Sequence, residues 1–275
     1  MYADLHLHST ASDGSRTPGE MVVLAREKGL SCISLTDHDS TDGIEEALLM
    51  GKKTGVEVIP GIELSCDYMG GEVHILGYYL DWRSPLLSDL SVKIKKYRHD
   101  RGALMVEKLA SLGYAINFEE VKAVAGSEFI GRPHIAEVLI KKGYAKNFDD
   151  AFANLIGKGQ PGYVERFKLT PHEAVAVIIK CKGIPVLAHP GLFKPGEAIG
   201  EALIDELIVS GLKGIEVFHS KHNFLVSNYY THLAAAKKLL ITGGSDCHGG
   251  LSGEILMGNI KIPYRLVAKL KENLP

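Results

Sequence analysis

The stretch Asp4-Leu5-His6-Leu7-His8 sets two imidazoles at positions i and i+2, and Ser245-Asp246-Cys247-His248 does the same with a carboxylate and an imidazole. On a strand such pairs share a face. Imidazole and carboxylate held together at a strand end are suited to binding metal or moving protons. Further residues of the same kinds recur along the chain: Asp13, the pair Asp37 and His38 in Thr-Asp-His-Asp, Glu63 in Gly-Ile-Glu-Leu-Ser, His74, and His189 in Ala-His-Pro-Gly. Singly, each has an ordinary explanation as a helix cap, a solvent-facing strand residue or a hydrogen-bonded core histidine. Jointly they do not. Six histidines and three carboxylates (His6, His8, Asp13, His38, Glu63, His74, His189, Asp246, His248) are prohibitive to bury in one cluster unless cations pair them.

That ligand set lacks an obvious thiolate, which suits manganese, zinc or iron and disfavours a structural cysteine site. Nine ligands exceed the needs of one ion, so two to three divalent ions are expected. Manganese is the first choice, and a carboxylate such as Glu63 is the natural bridge.

The elements that must position these groups follow from local signals. Tyr2 to His8, Ser31 to Thr36, Val56 to Leu64, Glu72 to Leu80, Ile184 to His189, Lys213 to Phe218 and Leu239 to Asp246 are rich in β-branched and apolar residues and are predicted strands. Thr17-Pro18-Gly19-Glu20 and Thr170-Pro171-His172-Glu173 each supply an N-cap, a proline at the first helical position and a capping-box glutamate. Residues 84–160 carry helical signals and no convincing strand, including a long helix from Pro85 to about Leu112 and a capping box at Asn117 and Glu120. The expected layout is an α/β barrel domain of residues 1–83 and 161–275, interrupted by an all-helical insertion of residues 84–160. Strands separated by single helices imply parallel pairing, which points to a (β/α) barrel or a near relative. The carboxyl ends of parallel strands gather on one face, where most of the nine residues fall.

Size and composition set the outer bounds. The chain has 275 residues, 45% hydrophobic and 23% charged with a net charge of -2, which is ordinary for a globular α/β protein and argues against a broad nucleic-acid footprint. No apolar run approaches the roughly 18 residues that span a bilayer, so no membrane partner is expected. The start Met-Tyr-Ala-Asp-Leu-His-Leu-His lacks a basic segment and an apolar core, so no secretory signal is expected. Cys32, Cys66, Cys181 and Cys247 form no Cys-x-x-Cys pair and read as reduced core residues of a cytoplasmic protein.

With those residues laid out, the chain resembles the PHP (polymerase and histidinol phosphatase) family. The matching motifs are Asp-Leu-His-Leu-His-Ser-Thr with Ser-Asp-Gly, Thr-Asp-His-Asp, Gly-Ile-Glu-Leu-Ser, Val-His-Ile-Leu-Gly-Tyr, Gly-Arg-Pro-His-Ile-Ala, Ala-His-Pro-Gly, Gly-Ile-Glu-Val-Phe-His and Gly-Ser-Asp-Cys-His. They look like the members that act on nucleotides, namely 3',5'-nucleoside bisphosphate phosphatases and the 5'-3' exoribonuclease of short RNA. The resemblance implies a distorted (β/α)7 PHP barrel with a helical insertion. It also implies three metal sites: His6, His8, Glu63 and Asp246; Asp13, His38 and His248; and Glu63, His74 and His189.

The implied reaction is metal-dependent hydrolysis of a phosphate ester, with clustered cations activating water for in-line attack. Arg132 is expected to pair with phosphate oxygens, since a guanidinium matches phosphate in a bidentate way. His134 is expected to orient phosphate or protonate the leaving oxygen, and His219 to line the site as a catalytic group. Lys158, Tyr163 and His222 are expected substrate contacts, and the insertion is the expected lid. The expected partner is a nucleotide phosphate or short oligoribonucleotide, with no obligate protein partner. Two alternatives stay open at this stage: a metal-dependent amidohydrolase, and a non-catalytic PHP interaction module.

Overall fold

A computed structural model describes residues 1–69, 71–126, 130–165, 168–192, 200–250 and 254–274, all but the Arg98 side chain. By internal contacts the chain divides into two units, Met1–Leu90 with Lys168–Pro275, and Ser91–Phe167. The first six residues of the long helix Pro85–Ser111 belong to the first unit, and Leu87 among them is buried.

The first unit is built on strands β1 (Tyr2–Leu7), β2 (Cys32–Leu35), β3 (Glu57–Tyr68), β4 (Gly71–Tyr78), β5 (Ile184–Leu187), β6 (Gly214–His219), β7 (Leu240–Gly244) and β8 (Ile262–Pro263). Neighbours run in the order β7-β6-β5-β4-β3-β2-β1-β8. β1, β2 and β3 pair in parallel, as do β5, β6 and β7. The sheet curls until its ends meet. Leu7 bridges Cys247 beyond β7, His8 N donates to Cys247 O at 3.0 Å, and Asp246 N donates to His6 O at 2.9 Å. Gly244 allows this closure, because a Cβ there would lie 2.3 Å from His6 Cβ. The two-residue β8 adds to the other end of β1, antiparallel, through Tyr2–Pro263 and Ala3–Ile262. The result is a (β/α)7 barrel with a small eighth strand at its base.

One departure from uniform parallel pairing matters. β4 runs antiparallel to both β3 and β5. Only two residues separate Tyr68 from Gly71, and so short a connection can join strands only as a hairpin. β5 then resumes the direction of β3 and meets β4 head to tail. The reversal explains why His74 lies inside its strand: opposite Ser65, near the late half of β3, it sits at the level of the other strands' carboxyl ends.

Strand alternation sorts β1 into an apolar face of Ala3, Leu5 and Leu7 and a polar face of Asp4 and His6. Ala3 and Leu5 pack with Ile59, Leu76, Tyr78 and Val186. Leu7 and Cys247 pack with Met21 and Val22 of helix α1 (Pro18–Glu27), so Cys247 lies behind the strand as a buried thiol, and all four cysteines are buried and free. The α1 capping box closes at Thr17 and Glu20, and its twin closes at Thr170 and Glu173 on the helix Pro171–Lys180. Among the described residues, no helix is long and apolar enough to cross a membrane.

The second unit is helical in its described residues. The long helix continues through it, followed by helices Phe118–Ala125, Arg132–Lys141 and Phe148–Ala151, the last running on as a π-helical turn over Phe152–Ile156. Met105, Leu109, Val121, Ile135 and Leu139 are buried in its core.

Candidate metal centre

The closed barrel brings the strand ends together. His6 lies in β1 and His8 one residue past it, Asp37 and His38 follow β2, His189 follows β5, and Asp246 and His248 follow β7. β3 is long enough to run past the end of β2, where Glu63 bridges His38. His189 and Asp246 hold φ angles of +26° and +55°, conformations that non-glycine residues adopt at a cost of about 1–3 kcal/mol and that cluster at functional sites.

Glu63 is the hub. Its Oε1 lies 2.9 Å from His74 Nδ1 and 3.1 Å from His189 Nε2. Its Oε2 lies 3.2 Å from both His6 Nε2 and His8 Nε2, and 3.1 Å from His38 Nδ1. Five imidazoles thus surround one carboxylate that is 1% exposed. Asp246 is the second focus: its Oδ1 lies 3.1 Å from His8 Nε2 and 3.5 Å from His6 Nε2. Asp13 is the third, 3.4 Å from His248 Nε2 and 3.8 Å from both His38 Nε2 and His8 Nδ1. Three groups have ligand atoms close enough to share an ion: His6, His8, Glu63 and Asp246; His8, Asp13, His38 and His248; and His38, Glu63 and His74. The first equals the set that the resemblance implies. The second adds His8 to it. In the third, His38 stands where the resemblance has His189, which approaches Glu63 from beside His74.

The charges show what such a cluster needs. Burial pushes the Glu63 carboxyl up, but His38, His6 and His74 overcome this and hold it well below the usual carboxylate range. Asp246 and Asp13 are depressed against burial in the same way, by His6, His219 and His8 and by His38, His248 and His8. Burial lowers His8, yet Asp246, Glu63 and Asp13 carry it up to about 10, and Glu63 and Glu72 likewise carry His74 to about 9. His6 is held well above its ordinary value by Glu216, Glu63 and Asp246 against burial. Burial prevails at His38, pulled down to about 4, and at His189. The acids therefore stay ionised and recruit protons onto neighbouring rings, which is charge that divalent ions would otherwise supply.

The residues fit metal ions on a second count. His6 Nε2, His8 Nε2, His38 Nδ1 and Glu63 Oε2 are buried and lack a hydrogen-bond partner. Two ligands each about 2.1 Å from one ion stand roughly 3–4 Å apart, the range of the contacts around Glu63, Asp246 and Asp13.

A shell of supporting groups surrounds these. Glu216 of β6 reaches His6 Nδ1 at 3.0 and 3.2 Å and accepts from His189 N at 2.8 Å. Asp37 accepts from Ser9 N at 2.7 Å and from Ser9 Oγ and Ser12 Oγ at 2.7 and 2.6 Å, tying down the loop that carries Asp13. Asp4, raised to about 6 by burial, accepts from Ser245 N at 2.8 Å and braces the seam. Sequence reasoning passed over Glu216 and Asp4, and for Asp37 it had only the neighbouring His38 as a signal.

Of the remaining expected site residues, His219 is buried with Nε2 3.4 Å from Asp246 Oδ2, while its Nδ1 accepts from Lys221 N at 3.2 Å. His222 has both ring nitrogens on the backbone: Nδ1 donates to Val217 O at 2.9 Å and Nε2 accepts from Gly191 N at 3.1 Å. That makes it a strut of the loop after β6, with no ring nitrogen left for a substrate. Arg132, His134, Lys158 and Tyr163 belong to the second unit. There the Arg132 guanidinium lies 5.1 Å from the Phe152 ring centre and 6.0 Å from that of Tyr163, and His134 Nδ1 accepts from Gly131 N at 3.1 Å. Lys158 is exposed.

Comparison with known proteins agrees with this geometry. The 3',5'-nucleoside bisphosphate phosphatase of Chromobacterium violaceum is 32% identical over 246 residues, covering 89% of this chain and 86% of that one. The 5'-3' exoribonuclease of Escherichia coli is 31% identical over 250 residues, covering 89% and 84%. A solved structure from Bifidobacterium adolescentis, of a protein predicted to be a metal-dependent phosphoesterase, matches with a TM-score of 0.85 at 30% identity, covering 98% of this chain and 94% of that one. The model of the PHP domain matches residues 4–172. A barrel whose strand ends converge on buried imidazoles and carboxylates, with relatives of this kind along nearly its whole length, belongs to the PHP domain family and is a metal-dependent phosphoester hydrolase.

Proposed function

We propose that the protein binds two to three divalent ions, manganese foremost, and hydrolyses a phosphate ester of a nucleotide. The substrate is a 3',5'-nucleoside bisphosphate, converted to the nucleoside 5'-monophosphate, or the 5' end of a short RNA. The observation that carries this reading is Glu63, one buried carboxylate within 2.9–3.2 Å of five imidazoles. The nucleoside bisphosphate phosphatase and exoribonuclease relatives support the substrate class.

A neutral imidazole has a single lone pair, which sorts the overlapping groups. If His8 ligates through Nε2 with His6, Glu63 and Asp246, its Nδ1–H is left facing Asp13. If His38 ligates through Nε2 with Asp13 and His248, its Nδ1 is left facing Glu63 Oε2 at 3.1 Å. That leaves Glu63 Oε1, His74 and His189 for a third ion, and each ring serves one ion only. Held by these residues, divalent ions would polarise the phosphate and lower the pKa of the attacking water.

The chain's own groups do the rest. His219 Nδ1 accepts from Lys221 N, so a proton on Nε2 faces Asp246 Oδ2 at 3.4 Å, beside the metal ligands. That proton is positioned to pass to a leaving oxygen. Arg132, stacked on Phe152 with its donors in one plane, supplies a bidentate partner for phosphate, and His134 a second contact. Lys158 and Tyr163 are the candidate contacts for the rest of the substrate. An amidohydrolase reading leaves His74, His248 and the hub position of Glu63 without a task.

The test compares turnover of adenosine 3',5'-bisphosphate, adenosine monophosphate and a 5'-phosphorylated RNA trimer by the manganese-loaded protein. Phosphate release from the bisphosphate, abolished by His6→Ala and by metal stripping, supports the reading. Equal turnover after metal stripping sinks it.

A further inference from the structure

Glu216 is the one carboxylate of β6 in the barrel interior, 0% exposed, and ordinary ligand counting leaves it unused. A buried anion is retained only where it is fully paired. Both Glu216 oxygens face His6 Nδ1, at 3.0 and 3.2 Å, and Oε2 also accepts the His189 backbone N–H at 2.8 Å.

We propose that Glu216 is a positioning residue for the metal centre, fixing the ring of His6 as the Nδ1–H tautomer and clamping the backbone of His189. Two consequences follow from the geometry. With Nδ1–H committed to Glu216, the His6 lone pair lies on Nε2, the atom 3.2 Å from Glu63 Oε2 and 3.5 Å from Asp246 Oδ1. The clamp on His189 N supports a residue at φ +26°, whose Nε2 stands 3.1 Å from Glu63 Oε1. One side chain thus aims ligands of two different ions. The inference rests on the metal-centre reading above.

The test titrates manganese into metal-stripped wild type, Glu216→Gln and Glu216→Asp by calorimetry, alongside thermal melts of the metal-free proteins. Gln keeps the shape and loses the charge, so it should bind metal 10–100-fold more weakly, the range for removing a partner that orients a ligand. Asp, which keeps the charge on a shorter arm, should recover part of that loss. A packing role alone leaves Gln at wild-type affinity, and that result overturns the proposal. Should both variants fail to fold, the wild type decides. Nitrogen-15 histidine spectra of the zinc-loaded protein should show His6 protonated on Nδ1 and ligated through Nε2, and the opposite tautomer overturns the proposal. A wild type that takes up no metal sinks the metal centre and this role together, and the wild-type titration distinguishes that outcome from a failure of Glu216 alone.

Discussion

Replacing Glu63 by glutamine keeps the side chain's shape and removes its charge, and most of the protein's response to divalent metal should go with it. Glu63 belongs to two of the three groups able to hold an ion, and the group of His8, Asp13, His38 and His248 lacks it. A ligand that binds only the folded state stabilises by about 2.7 kcal/mol at one hundred times its Kd. For a chain of 275 residues unfolding in one step, an unfolding entropy of about 2.1 cal/mol/K per residue makes that worth about 5 °C per ion. With ions on all three groups, the wild type should gain about 14 °C over its metal-free melt, and Glu63→Gln only about 5 °C. Removing one partner of a buried ion pair itself costs about 3–5 kcal/mol, so each protein is compared with its own metal-free form. Differential scanning calorimetry with manganese and with EDTA reads the gain, and elemental analysis of the dialysed protein counts the ions. A Gln variant that matches the wild type in both refutes the reasoning, because the hub would then hold no metal.

Three further outcomes follow from named contacts. His8, carried up to about 10, and His74, at about 9, are protonated at pH 7.5, whereas an ion accepts only the neutral ring. Metal loading should therefore release about two protons from these rings, and apparent affinity should climb with pH; a calorimetric enthalpy that does not depend on the buffer's ionisation enthalpy contradicts this. Gly244→Ala puts a Cβ 2.3 Å from His6 Cβ and 2.4 Å from His6 N, so the seam must part, with a loss of about 1–3 kcal/mol in urea denaturation and of phosphate release; an unchanged midpoint would show the closure to be loose. Asp37→Asn removes one acceptor from the Ser9–Ser12 loop, at about 1–2 kcal/mol, and should weaken metal binding by the Asp13 group while sparing the Glu63 groups, as site-resolved histidine spectra would report.

Much of the fold was legible because its signals are local. The caps at Thr17, Asn117 and Thr170 need only a residue and the glutamate three positions on, and all three capping boxes form. The pairs His6–His8 and Asp246–His248 need only the strand period. The orientation of β4 was harder to see, since an antiparallel partner depends on a two-residue connection and leaves no trace in the strand's own composition. The two-residue β8 is too short for any periodicity to register.

Glu216 shows most clearly why local reading stops short of a complete site. Strict alternation sends Glu216 and His219, three residues apart, to opposite faces of β6. Yet Glu216 meets His6, and His219 meets Asp246. The pairing of β6 with β7 shifts between Glu216 and Phe218, and an extra residue at such a shift turns the following side chains over. The irregularity is a property of two strands together, as is the approach of Gly244 to His6 across the seam. Which residues carry the chemistry can be read from one strand at a time, but the groups that aim them depend on how the barrel closes.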